Sequence, residues 1–301
     1  MEGLNVVEPS VELVFVYCGE HTFLRLCLAS IKKFYAGIDI QKITVLTGNI
    51  DKKHLDYLNS RDDICVVSYT DISGSEPYNS DIYYRYIIEH AKADFIIYMH
   101  LDAIPISANW AVPVYSKCKE SYLGVYVVDW ARVCASNPEY NREQGMIDVW
   151  SPIMCFSRDY FSTHKFPLLL ERALKESLFP EKLFGYTIGT FAAGTYWYDS
   201  FTVAMGRVME MGFNPVVDVF NSSFITGSIK HFGPVGAYYG HGKEWCHKEH
   251  NMEKHTYNIK QLFFAPEYKK QFGFLDLIKN DKYPTYMCDE ILDVFLDTME
   301  V

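Results

Sequence analysis

The chain has no Gly-x-Gly-x-x-Gly and no Walker loop. These are the glycine-rich turns whose backbone N–H groups cradle a dinucleotide or a nucleoside triphosphate, so their absence argues against a dinucleotide dehydrogenase or a P-loop enzyme. Cysteines stand at 18, 27, 65, 118, 134, 155, 246 and 288, and none forms a Cys-x-x-Cys pair. That removes the zinc-ribbon pattern and any signal for a disulfide framework, and leaves free thiols in a reducing cytosol as the expectation. No apolar run approaches the ~20 residues needed to span a bilayer. Met1 to Ser10 lack the basic and apolar regions of a signal peptide. A soluble, cytoplasmic protein is expected, with recruitment to a membrane surface left open. Basic residues are the minority, 28 Lys and Arg against 38 Asp and Glu, for a formal net charge of -10. Non-specific nucleic-acid binding needs cations to neutralise phosphates and is disfavoured. A small anionic ligand is not, because a metal ion can hold one.

What is present is a core. The chain has 301 residues, of which 49% are hydrophobic, enough for one large α/β domain or two small ones. Aromatics reach 16%, with 23 Tyr and 20 Phe. Such rings suit sugars and bases, although packing accounts for most of them. There is no internal repeat and no low-complexity linker.

Read in order, the first half alternates strand and helix. Val11 to Tyr17 is an apolar strand and Cys18 to His21 a turn. Thr22 is placed to cap a helix from Phe23 to Phe34, with Leu24, Cys27, Leu28 and Ile31 at helical spacing and Gly37 beyond its end. Ile43 to Leu46, then Ile64 to Tyr69, read as strands around a helix from Lys52 to Asn59, and Thr47-Gly48-Asn49 reads as a loop. A further helix opens at Ser80 or Asp81 and runs to His90. This alternation predicts a parallel sheet with helices on both faces. In the second half, strands are expected at Tyr122 to Val128, at Val149 to Ser157 and at Val216 to Phe220. The middle one is expected to be an edge or irregular strand because of Pro152. Phe166 to Leu178 reads as a helix and Gly185 to Tyr198 as an aromatic, glycine-rich loop. Asp199 is placed to cap a helix from Ser200 to Met211 that ends at Gly212.

The stretch Asp94 to Pro105 organises the rest. Phe95 to Met99 has the length and apolarity of a doubly buried strand, and it runs into His100-Leu101-Asp102 before Pro105 stops it. An acid just beyond the carboxyl end of such a strand sits where open α/β sheets bind ligands. A lone Asp there is more often a turn cap.

Blocks of residues, in order, resemble the GT-A glycosyltransferases that use nucleotide sugars, in particular the family-two group. They are Val14 to Tyr17 with Leu24, Cys27, Leu28, Ser30 and Ile31; Ala91 to Asp102, which is similar to a helix end, strand and Asp-x-Asp motif; Trp150 to Arg158 with Phe161 and Phe166; and Tyr198-Asp199-Ser200, Gly212-Phe213 and His231-Phe232-Gly233. The resemblance spans roughly Val11 to Gly240. It departs at Leu46 to Asn49, where the family's base-contacting Asp is missing. It departs at Tyr83-Tyr84-Arg85, where the family has Ala-Arg-Asn, and at His100, which replaces the first Asp of Asp-x-Asp.

The resemblance implies a GT-A, Rossmann-like fold: a mostly parallel central sheet flanked by helices, with a smaller acceptor-side sub-sheet. It implies transfer of a sugar from a nucleotide-diphosphate sugar to a hydroxyl on a glycan, a lipid-linked saccharide or a protein, with inversion the expected outcome. Residues 1–110 would form the donor half, 111–245 the acceptor and catalytic half, and 246–301 a partly helical extension. Asp102 and His231 would hold Mn²⁺ or Mg²⁺, a His among the ligands favouring Mn²⁺. Asp199 would be the general base. Tyr17, Gly19, Glu20, Thr47, Asn49, Arg85, His100 and Leu101 would line the donor, and Trp150, Tyr196 and Trp197 the acceptor. Each has a plainer role open to it: packing for the aromatics, capping for Asp199, a packed ring for His231, a solvated charge for Glu20 and Arg85. The run of His at 241, 247, 250 and 255 fits no standard zinc spacing and reads as a solvated loop. Two other readings remain, a non-catalytic GT-A-like domain that binds a glycan or partner, and a metal-dependent hydrolase or nucleotidyltransferase.

Overall fold

A computed structural model of the chain describes residues 8–17, 21–48, 50, 52–68, 82–128, 151–164, 182–183, 186–187, 208–209, 211–220 and 224–231. The first half follows the expected alternation: β1 (Val11–Tyr17), α1 (His21–Lys33), β2 (Lys42–Thr47), α2 (Lys52–Asn59), β3 (Cys65–Ser68), α3 (Ile82–Glu89) and β4 (Phe95–Met99). A tight turn then leads into β5 (Ala103–Pro105), α4 (Val112–Ser121) and β6 (Leu123–Val128). After these come β7 (Ile153–Ser157), α5 (Arg158–His164), the short pair β8 (Lys182–Leu183) and β9 (Tyr186–Thr187), and then β10 (Val216–Phe220), β11 (Phe224–Thr226) and β12 (Ile229–His231).

The central sheet has seven strands in the order β10-β6-β7-β4-β1-β2-β3. Every pairing in it is parallel except those of β7, which runs antiparallel to both β4 and β6. A smaller sheet, β11-β12-β5, is antiparallel, as is the β8-β9 pair. This is the mostly parallel α/β class expected for a GT-A fold, with a smaller sheet beside the main one.

Both faces of the sheet are covered, which is why its strands read as continuous apolar runs. Leu13, Phe15 and Tyr17 of β1, with Ile97 and Met99 of β4, pack against Phe23, Leu24 and Cys27 of α1, Leu58 of α2 and Val114 of α4. Their chain neighbours point the other way. Val14, Ile96 and Tyr98 join Tyr86 and Ile87 of α3, Tyr160 and Phe161 of α5, and Val208. Gly212, at φ +88, turns the chain out of the short helical stretch at Val208 and Met209. The Phe213 N–H there reaches back to the Val208 carbonyl at 3.2 Å. A glycine can take that left-handed conformation without strain.

Several expectations change. Thr22 lies inside α1 rather than before it. Tyr122 is not the first residue of a strand: it closes α4 in the left-handed region at φ 63. β7 is an interior strand, paired on both sides. Pro152 stands just before its first ladder residue, so the missing N–H costs no ladder hydrogen bond. Its carbonyl instead accepts the His100 N–H at 2.8 Å. Tyr186 and Thr187, read as loop, form β9. The opening residues Ser80 and Asp81 expected for α3, the helix expected at 166–178, most of that expected at 200–211, and the extension 246–301 lie outside the described residues, as do Cys18, Cys134, Cys246 and Cys288. Cys27, Cys65, Cys118 and Cys155 are free thiols.

Candidate metal centre

The position of the site follows from the strand order. β2 and β3 lie on one side of β1 and β4 on the other. The chain therefore reverses direction across the sheet between β1 and β4. The crevice outside the carboxyl ends of two such strands is the ligand-binding position of open α/β sheets. Tyr17, Thr47 and Ser68 are in register at the ends of β1, β2 and β3. Val14 pairs with Tyr98, which brings His100, just past β4, to the same edge.

The turn at His100 is fixed from two sides. Its N–H donates to Pro152, and its carbonyl accepts the Ala103 N–H at 3.0 Å. The chain then continues as β5, which pairs antiparallel with β12 so that Ala103 faces His231. His231 thus arrives at the end of a strand. α1 secures β5 from behind: the Ser30 hydroxyl donates to the Pro105 carbonyl, and the Cys27 thiol lies 3.8 Å from the Ala103 carbonyl.

These constraints gather three side chains. Asp102 Oδ1 lies 3.2 Å from His231 Nε2 and 3.9 Å from His100 Nδ1. One ligand atom from each residue lies within 4.8 Å of the others. Donors held at ~2.1 Å from one ion are at most about 4.2 Å apart, so small side-chain rotations close the set. Asp102 and His231 are each only 4% exposed, and His100 is half-buried. Burial lowers the His100 imidazole to about 4; the Asp102 charge opposes this and His231 adds to it. The ring is neutral near neutral pH, with a lone pair to offer. Burial, then the Asp102 charge, pushes the Cys27 thiol up, so no thiolate competes there. Two imidazoles and one carboxylate fit a divalent ion.

The other sequence-derived residues are placed more variously. Tyr17 is fully buried, its hydroxyl 3.2 Å from Nδ1 of His54 on α2. Thr47 is buried at the end of β2, and its hydroxyl donates to the Val67 carbonyl at 3.4 Å. Leu101 is a core side chain within the metal-site turn. Arg85 is half-buried on α3. Gly19, Glu20, Asn49, Trp150, Tyr196, Trp197, Asp199 and the His run from 241 to 255 lie outside the described residues. Sequence reading missed the neighbours that hold the site: His54 behind Tyr17, Pro152 behind His100, and Ser30 behind β5. His54 stands in no motif, and Ser30 and Pro152 lie within the family-like blocks without a role assigned to them there. Ser30 could have been noticed as a polar residue among the apolar positions of α1.

No family model matches the chain, and no curated protein matches it. Solved structures do. Glucosyl-3-phosphoglycerate synthase from Mycobacterium tuberculosis, in complex with Mg²⁺ and UDP, is 16% identical with a TM-score of 0.43, over 74% of this chain and 72% of that one. The same enzyme with Mn²⁺, UDP and phosphoglyceric acid is 15% identical with a TM-score of 0.44, over 77% and 75%. Galactosyltransferase LgtC, in complex with donor and acceptor sugar analogues, is 14% identical with a TM-score of 0.46, over 71% and 74%. The chemistry rests on this chain's own residues.

Proposed function

We propose that the chain is a glycosyltransferase that moves a sugar from a nucleotide-diphosphate sugar to a hydroxyl acceptor. The observation that carries this reading is the convergence of His100, Asp102 and His231 at the strand-order reversal between β1 and β4. These residues would hold a divalent ion beside the crevice in which a nucleotide would lie. When bound, Mn²⁺ or Mg²⁺ neutralises the departing diphosphate. The carboxyl ends of β1 and β2, with Tyr17 and Thr47, form the floor of the donor side, and residues 1–110 supply most of it. The same reading assigns Gly19, Glu20, Asn49 and Arg85 to donor binding.

The acceptor half, 111–245, contributes Trp150, Tyr196 and Trp197 to hold the hydroxyl-bearing partner and Asp199 to take its proton. With Asp199 as the base, the reaction is a single displacement with inversion at the anomeric carbon. A glycan, a lipid-linked saccharide or a protein can present the hydroxyl.

Calorimetric titration of the full chain with UDP-, GDP- and dTDP-sugars, with and without Mn²⁺, tests the reading. Binding of at least one, strengthened by Mn²⁺, is expected; no binding by any of them overturns it. Asp199→Asn is expected to bind donor as wild type does while turnover falls by about 10²–10⁴-fold. Undiminished turnover removes Asp199 as the base.

A further inference from the structure

The donor set at the end of β4 differs in chemistry from a pair of carboxylates, and its scaffold is built from backbone hydrogen bonds and strand pairing. His100 is held by the hydrogen bonds of its own N–H and carbonyl to Pro152 and Ala103. His231 is held by strand pairing of β12 to β5, with Lys230 opposite Ile104 and Ile229 opposite Pro105. Both imidazoles and the Asp102 carboxylate are therefore brought together by backbone hydrogen bonds and strand pairing.

Mg²⁺ demands near-octahedral oxygen coordination, keeps its waters, and is usually bound by one or two carboxylates together with substrate phosphates. This cluster offers it a single carboxylate between two rings. Imidazole nitrogen suits first-row transition ions, and affinity at mixed nitrogen and oxygen sites rises from Mn²⁺ through Co²⁺, with Zn²⁺ also well suited.

We infer that this cluster is a transition-metal site which binds Mn²⁺, Co²⁺ or Zn²⁺ on protein ligands alone and discriminates against Mg²⁺, with His100 as the residue that sets the selectivity. The inference rests on the cluster being a metal centre, as the glycosyltransferase reading does, and not on sugar transfer. It narrows the choice of ion to a class, and it makes metal binding precede donor binding. In a site completed mainly by the diphosphate the order would be the reverse.

The test uses the full chain freed of metal by a chelator and then dialysed. Mn²⁺ is added without nucleotide and free Mn²⁺ is followed by electron paramagnetic resonance; Co²⁺ is followed by its visible absorption. One equivalent of either ion is expected to bind, and Mg²⁺ at about tenfold excess is expected to leave both in place. His100→Asp supplies a second carboxylate. It is expected to weaken Co²⁺ binding and to let Mg²⁺ compete about tenfold better than in wild type. His231→Asn is expected to lose the visible Co²⁺ bands of an imidazole-ligated site.

Failure of Mn²⁺, Co²⁺ and Zn²⁺ all to bind without nucleotide overturns the inference. Displacement of Mn²⁺ from wild type by equimolar Mg²⁺ also overturns it. The wild-type competition decides even if a variant misfolds. Ion binding with no response to any sugar nucleotide keeps the inference and removes the glycosyltransferase reading. Turnover supported equally by Mg²⁺ and Mn²⁺ does the opposite.

Discussion

Asp63 shows how one charged residue couples this fold to pH. Arg61 grips its carboxylate bidentately, Nε to Oδ1 at 2.8 Å and Nη2 to Oδ2 at 2.6 Å, and Lys32 of α1 adds a contact at 2.6 Å. The Arg61 hydrogen bonds, only partly opposed by burial and reinforced by Lys32, lower the carboxyl to about 2. Its pKa is depressed in the folded state, so its contribution is complete above the unfolded value of roughly 4 and is lost as pH falls from there toward 2. Lys32 is largely exposed, and solvent screening keeps the contribution at neutral pH within about 1 kcal/mol. Asp63→Asn is thus expected to lower stability slightly at pH 7. Urea unfolding of wild type and variant is expected to converge between pH 4 and pH 2. A gap that persists at pH 2 would exclude this account.

Glu12 is the stronger case at the same scale. It is wholly buried in β1, where Oε1 accepts from Lys42 at 2.9 Å, from Tyr86 at 2.7 Å and from the Thr44 hydroxyl. Burial would lower the Lys42 ammonium, but its bonds to Glu12 and Tyr86 outweigh this and raise it. Glu12→Ala leaves three donors facing a void and is expected to cost about 2–3 kcal/mol, read as a lower urea midpoint at pH 7. An unchanged midpoint would mean that water replaces the carboxylate without loss.

Legibility of the elements followed length and period. β1 through β4 and α1 through α3 were readable because each carries a run long enough to show its repeat, and β10 for the same reason. α4 was not read: of its ten residues only Val114, Cys118 and Ser121 are buried, and a proline stands in its first turn. β5 and β12, three residues each, are too short for any period, yet they are the pair that carries His231 to Asp102. The site residues themselves were named through the family resemblance, while the geometry joining them depended on this unread pairing. Pro152 misled because proline signals an edge only within a ladder, and here it precedes one.

The contact of α4 with β6 makes a prediction at this scale. A Cβ on Gly124 would stand 2.0 Å from the Val114 carbonyl oxygen and 3.0 Å from the Cys118 nitrogen. Both are backbone atoms of the helix and cannot rotate away. Gly124→Ala must therefore move α4 off the sheet, and is expected to cost about 1–3 kcal/mol or more in equilibrium unfolding. A neutral result would mean that the helix already sits further from β6.

Across the whole molecule, the metal centre ties together segments that are distant in sequence. Asp102 follows the last strand of the opening alternation, and His231 closes β12 near the end of the described chain. Among the described residues, the short β5–β12 ladder is their strand-level connection. An ion bound to both adds a link that the unfolded chain cannot make, so its binding energy becomes folding energy. At an ion concentration a hundredfold above its dissociation constant, the gain is about 2.7 kcal/mol, or roughly 5 °C in melting temperature for a chain of this size. Mn²⁺ added to metal-free protein is expected to raise the melting temperature by that order, and a chelator to reverse it. Asp102→Asn is expected to abolish the response while the variant still melts cooperatively. The decisive comparison is the slope of melting temperature against the logarithm of ion concentration. It should be positive in wild type and flat in Asp102→Asn, and equal slopes would place the bound ion elsewhere on the chain.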